Sequence, residues 1–134
     1  MEVNCTFCNY TNTVRKQHII YEDEDYAAFL STRPVSKGHS ILIPKNHIES
    51  FSEVLDAKGL LLLTETIADG ITRAIGADSL NIHITYGDVR KKNMPHLHLH
   101  LIPMFEYPEG EVAHHIELTP AEMDEIAERI RNLL

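Results

Sequence analysis

The chain has 134 residues, the size of one ordinary domain with a single sizeable core, so 1–134 is read as one domain. With 43% apolar residues and interspersed charges it is a folding sequence, and its net charge of −8 with neutral histidines argues against a nucleic-acid polymer as partner. A small anionic ligand stays compatible, because a few local donors hold one phosphate against an unfavourable overall charge.

The N-terminus, MEVNCTFCNY, lacks the basic and apolar stretches of a signal peptide. No apolar run reaches membrane-span length, since GLLLLTETIADGI is broken by charges and by Gly70. A cytoplasmic location without membrane contact is the expectation. In that compartment Cys5 and Cys8, at CxxC spacing, read as a metal or redox pair rather than a structural disulfide. A thioredoxin-like role is disfavoured because the pair precedes any strand and no βαβ pattern follows.

Three strand-length apolar stretches come next: HIIYED (18–23), YAAFLS (26–31) and HSILIPK (39–45), the last two separated by the loop sequence STRPVSKG. From Ser52 to Ile75 the period changes, with Leu60, Leu63, Ile67, Ile71 and Ala74/Ile75 on one helical face. Gly59 is read as a break between a short first turn and this long helix, and Gly76 as its C-terminal stop. SLNIHITYG then alternates, with Asn81, His83 and Thr85 on one face, which leaves two readings of His83: a residue bordering a pocket on that face and, the favoured one, an ordinary surface histidine. HLHLHLI forms a further strand. Residues 105–134 make a tail: an irregular connection that includes His114 and His115, then a helix capped by Thr119, with Pro120 in its first turn and Glu122 completing a capping box. Its apolar stripe is Met123, Ile126, Ala127, Ile130 and Leu133. The expected class is α+β: about five antiparallel strands, one long helix and a C-terminal helix.

His96, His98 and His100 share one face of their strand, about 7 Å apart, with Leu97, Leu99 and Leu101 facing the core. A partly wet face is one reading, though Thr, Lys and Glu would normally fill it. Three histidines can also bind one metal. Alternatively one of them is a nucleophile toward phosphorus, which requires its other ring nitrogen to be pinned by a carbonyl or carboxylate and donors nearby for developing charge.

The run HLHLHLI resembles the His-x-His-x-His-x-x signature of the histidine-triad (HIT) family, in its zinc-containing branch. Residues 19–51, IIYEDEDYAAFLSTRPVSKGHSILIPKNHIESF, resemble the family's strand–strand–loop–strand segment with its glycine–histidine pair and later Pro-Lys and histidine. The resemblance covers roughly residues 5–104, about three quarters of the chain. It implies a hydrolase of nucleotide phosphoesters, phosphoanhydrides or phosphoramidates, acting on a nucleotide or dinucleotide through a nucleotidyl intermediate on His98. His100 and His39 would line the same site. It also implies a structural zinc held by Cys5, Cys8, His47 and His96, with residues 1–17 forming the zinc segment, and a homodimer built on the long helix and the strand near SLNIHITY.

Departures from the family pattern fall in the nucleotide-binding parts. Ser31 stands where an acidic residue usually grips the ribose, Thr85 where an asparagine is common, and RKKNMP replaces the usual Gln-Ser or Gln-Thr before the triad. Ser31, Thr85, Lys92 and Asn93 are therefore the expected nucleotide- and phosphate-binding residues, with Arg90 and Lys91 adding positive charge nearby. These changes leave two other outcomes open: a nucleotide-binding regulatory module with little turnover, or a nucleotidylyltransferase to a phosphate acceptor.

Overall fold

In the computed structural model, which describes residues 4–87, 94–105 and 116–134, the first three apolar stretches become strands. They are β1 (Ile19–Glu22), β2 (Tyr26–Leu30) and β3 (Ser40–Pro44). After them come helix α1 (Ala57–Ile75), β4 (Ser79–Ile84), β5 (Leu99–Met104) and helix α2 (Pro120–Arg131). The strands form one five-stranded sheet in the order β1-β2-β3-β5-β4, antiparallel throughout. The class is α+β, as the periodicities imply. β5 inserts between β3 and β4, so the strand lies inside the sheet; it begins at Leu99 and carries His100, while His96 and His98 precede it, short of the strand expected over HLHLHLI.

The two faces of the sheet are covered differently. Ala28, Leu30, Leu42, Leu99 and Leu101 pack against Leu60, Ile67 and Ile71 of α1 and Met123, Ile126, Ala127 and Ile130 of α2. On the other face Ala27, Phe29, Ile41 and Ile43 meet Cys5, Phe7, Cys8 and Tyr10 of the N-terminal segment. β3 is buried along its whole length because both of its faces are covered, which explains an uninterrupted apolar run in place of alternation. Directly opposed residues share a face, and the register lines up Phe29 with Ile41, Ile41 with His100, and His100 with His83.

Helix ends follow from local chemistry, with one correction. Gly59 does not break a helix. A separate single turn, Phe51–Glu53, carries its own Ser50–Glu53 capping box, and α1 starts afresh behind Asp56, whose carboxylate accepts from the Gly59 N–H at 2.9 Å. A Cβ at Gly59 would lie 2.2 Å from that carboxylate, so the glycine makes room for the cap. Gly76 ends α1 in the left-handed conformation, φ 68°, as expected. Thr119 and Glu122 form the expected capping box of α2 with Pro120 in the first turn. Leu133 leaves the apolar stripe, lying exposed just past the helix.

The loop between β2 and β3 turns at a glycine. Gly38 has φ 85°, and a Cβ there would stand 2.5 Å from Ile75 Cδ1 of α1. Glycine lets the chain turn tightly against the helix and deliver His39 to the start of β3.

Candidate functional site

The alternation of β5 places Leu99 and Leu101 in the helix-side core, and the preceding extended residues continue it with Leu97. The histidines therefore emerge on the opposite face. They are not equivalent there.

His96 is 1% exposed and turned toward the N-terminal segment. Its Nδ1 lies 3.2 Å from Cys5 Sγ and 3.5 Å from Cys8 Sγ, while Cys8 Sγ lies 3.2 Å from His47 Nδ1. The ligand atoms of Cys5, Cys8, His47 and His96 all fall within 4.8 Å of one another, so the four can hold a metal ion. A tetrahedral ion about 2.3 Å from sulfur and 2.0–2.1 Å from nitrogen sets S···N edges of roughly 3.6 Å, close to those seen. The rings are also turned correctly. His96 Nε2–H donates to the Pro44 carbonyl at 2.8 Å, and His47 Nε2 faces Glu49 Oε2 at 3.4 Å, leaving both Nδ1 lone pairs directed at the sulfurs. Burial pushes the His96 pKa down, favouring the neutral ring that ligation needs. Two thiolates and two neutral imidazoles around a divalent ion carry no net charge, so such a site is compatible with burial.

His98 faces the other way. Its Nδ1 lies 2.7 Å from the His96 carbonyl, which only accepts, so the proton sits on Nδ1 and the Nε2 lone pair is free for chemistry. The tautomers of its neighbours follow by the same reasoning. The Val35 N–H donates to His39 Nδ1 at 3.1 Å, which places the His39 proton on Nε2. That Nε2 lies 2.9 Å from His100 Nδ1, which must accept, so His100 carries its own proton on Nε2. The His98 and His100 rings are 5.1 Å apart. Burial, and then the nearby imidazoles of His98 and His83, hold the His100 pKa below the ordinary 6.5.

His39, His98 and His100 open onto one cavity of ≈ 580 Å³, walled at its apolar end by Phe7, Phe29 and Ile41. A cleft of ≈ 610 Å³ lies at the far edge of the sheet, but its Arg131 is engaged by the carbonyls of Gln17 and Ile19 and it holds no cluster of reactive groups. Ser31 lines the histidine cavity, its Oγ accepting from the Arg33 N–H at 3.2 Å. Thr85 is exposed just beyond β4 and is not among the described residues lining the cavity. Arg90, Lys91, Lys92, Asn93, His114 and His115 lie outside the described residues. His18 is elsewhere, paired with Asp124 of α2 at 2.8 Å.

One wall residue escaped sequence reasoning, and a second was given the lesser weight there. Phe7 sits between the two cysteines, its ring 5.2 Å from His98 and 5.9 Å from His96. The signal was an aromatic inside the CxxC, in a segment otherwise polar. His83 lines the cavity beside His100, which favours the pocket-bordering one of its two readings, although the side chain is exposed.

The sequence pattern of the HIT domain matches residues 12–107. An uncharacterised HIT-like protein of Methanocaldococcus jannaschii is 33% identical over 133 residues, covering 95% of this chain and 98% of that one. The adenosine 5′-monophosphoramidase of Schizosaccharomyces pombe is 28% identical, covering 96% of each. A zinc-bound histidine triad family protein from Mycobacterium smegmatis superposes with a TM-score of 0.77 at 25% identity, over 97% of this chain and 92% of that one. With a triad, a sheet and a matched segment of this extent, the chain belongs to the HIT family.

The tautomer assignment is directly measurable. Imidazole NMR is expected to find His100 as the Nε2–H form, with a titration midpoint below 6.5. Because the unfolded ring takes up a proton more readily, this contribution to stability is complete above about 6.5 and is lost as pH falls below it. An Nδ1–H form, or a midpoint above the ordinary value, would contradict the hydrogen-bond chain.

Proposed function

We propose that the protein is a nucleotide hydrolase that cleaves phosphoesters, phosphoanhydrides or phosphoramidates through a nucleotidyl-His98 intermediate. The observation that carries this reading is the 2.7 Å contact between His98 Nδ1 and the His96 carbonyl, which leaves Nε2 unprotonated over a cavity large enough for a nucleotide. A relative of nearly the same length is named for adenosine 5′-monophosphoramide chemistry, which agrees with it.

In the first half-reaction the Nε2 lone pair forms a bond to the α-phosphorus as the bond to the leaving group breaks. The electron pair of the broken bond departs with the leaving group, which takes up a proton from solvent where it is an amine. The His98 ring then carries positive charge, which the His96 carbonyl stabilises through Nδ1–H. His100 Nε2–H donates to the phosphoryl oxygens, held in that direction by His39. Water next attacks phosphorus and releases a proton to solvent, the N–P bond breaks, and its electron pair returns to Nε2 as the nucleoside monophosphate leaves. Phe7, Phe29 and Ile41 take the base by apolar contact. Ser31 is the ribose-facing residue of this reading, while Lys92 and Asn93 are its proposed phosphate contacts; Thr85, outside the cavity lining, is given no contact.

Zinc is the ion that the donor set fits, held by Cys5, Cys8, His47 and His96 in a closed tetrahedral site. Bound there it cross-links the N-terminal segment to the sheet and takes no part in phosphoryl transfer. The exposed apolar side chains Leu61 and Leu62 on α1 and Ile82 and Ile84 on β4 support a homodimer through that face.

Three measurements test these readings. With adenosine 5′-phosphoramidate and a dinucleoside polyphosphate as substrates, His98→Ala is expected to lower monophosphate release by at least about a thousandfold, with loss of any acid-quenched nucleotidyl adduct. Equal slow release by both proteins would end the enzyme reading. Elemental analysis is expected to find about one zinc per chain, markedly reduced in Cys5→Ala along with the melting temperature; unchanged zinc removes Cys5 from the site. Light scattering should give twice the chain mass, and Leu62→Glu should shift it toward the monomer, whereas a wild-type monomer refutes the dimer.

A further inference from the structure

His83 is the one histidine among those lining the cavity to which the proposed hydrolysis gives no task. It faces His100 across the β4–β5 pair, and the same register runs on through Ile41 to Phe29. All four line the cavity. Four strands spaced by about 4.8 Å make this line roughly 14 Å long, apolar over β2 and β3 and imidazole over β5 and β4.

The two ends select different parts of a substrate. The base belongs against Phe29 and Ile41, and the phosphorus lies at His98 and His100 near the middle. Beyond His100 a single strand spacing remains, about 5 Å, enough for one more phosphate- or sulfate-sized group. His83 is exposed, and among the described residues nothing hydrogen-bonds to its ring. The described ligand atoms that converge for a metal are those of the Cys5 cluster, and His83 is not one of them.

We infer that His83 is a substrate-binding residue that donates to an anionic leaving group, making mixed anhydrides of nucleoside 5′-phosphates better substrates than phosphoramidates with a neutral amine. This rests on the nucleotidyl-His98 reading and adds the leaving-group class to it. When Nε2 of His98 bonds to phosphorus and the P–O bond to a sulfate or phosphate breaks, the electron pair stays on the departing oxygen. Negative charge therefore grows at the β4 end, where an imidazole N–H stabilises it. A departing amine instead needs a proton and develops no negative charge there, so His83 contributes nothing to its release.

The experiment is single-turnover kinetics on the full-length, metal-replete protein with adenosine 5′-phosphosulfate and adenosine 5′-phosphoramidate. In His83→Ala, nucleotidylation by the phosphosulfate is expected to slow about 10–100-fold, the range of a hydrogen bond to a charged group. Nucleotidylation by the phosphoramidate should change less than twofold. Hydrolysis of the nucleotidyl-enzyme, common to both substrates, should be unchanged, and His83→Gln, which keeps an N–H donor, should recover part of the loss. Equal slowing with both substrates, or with neither, overturns the assignment of His83 while leaving the enzyme reading intact. If wild type forms no adduct from either substrate, the nucleotidyl-His98 reading fails and this inference falls with it.

Discussion

One hydrogen bond organises the site: His98 Nδ1 to the carbonyl of His96, 2.7 Å. It makes a backbone group the orienter of the His98 ring, so the direction of the imidazole is set by the position of the chain. That position is itself held from three sides. Leu97 and Leu99 bury the strand's approach in the helix-side core, while the His96 ring is tied to Pro44 at the end of β3 and to the cysteine segment. A residue that is 1% exposed thus touches both clusters, its ring facing Cys5 and Cys8 and its carbonyl facing His98.

The same division explains why two chemistries share one short stretch without interfering. Along an extended chain, successive histidines of one face sit about 7 Å apart, too far for three rings to meet one ion in the way a loop or a helix permits. Each recruits partners from a different element instead. His96 finds Cys5, Cys8 and His47, and His100 finds His39. His98, between them, takes its partner from the backbone.

Much of this was legible in the sequence. Period-two alternation at 96–101 separated leucines from histidines, and the Thr119–Glu122 cap located α2, because both are local patterns with one physical reading. The four residues able to hold a metal were named through family resemblance, since Cys5 and His96 lie 91 positions apart and spacing alone does not join them. What stayed hidden depended on register or on three-dimensional proximity. Gly59 looked like a breaker because its partner, the Asp56 carboxylate, matters only once the turn exists. His83 was weighed mainly as a surface residue because nothing in SLNIHITYG says that its neighbour is His100. Phe7 could be seen beside the cysteines, but its approach to His98 requires the segment to fold back over β2 and β3.

The cross-strand line from Phe29 to His83 makes the sheet a ruler, with strands as its graduations. Side chains alternate with period two, so slipping one strand by a single residue would turn the whole set over, sending imidazole into the leucine core and leucine into the cavity. Point substitutions on this face change what each graduation reads, and the ruler survives them. An inserted or deleted residue inside β5 destroys the scale itself. The geometry of this face is therefore more tolerant of altered letters than of altered counting.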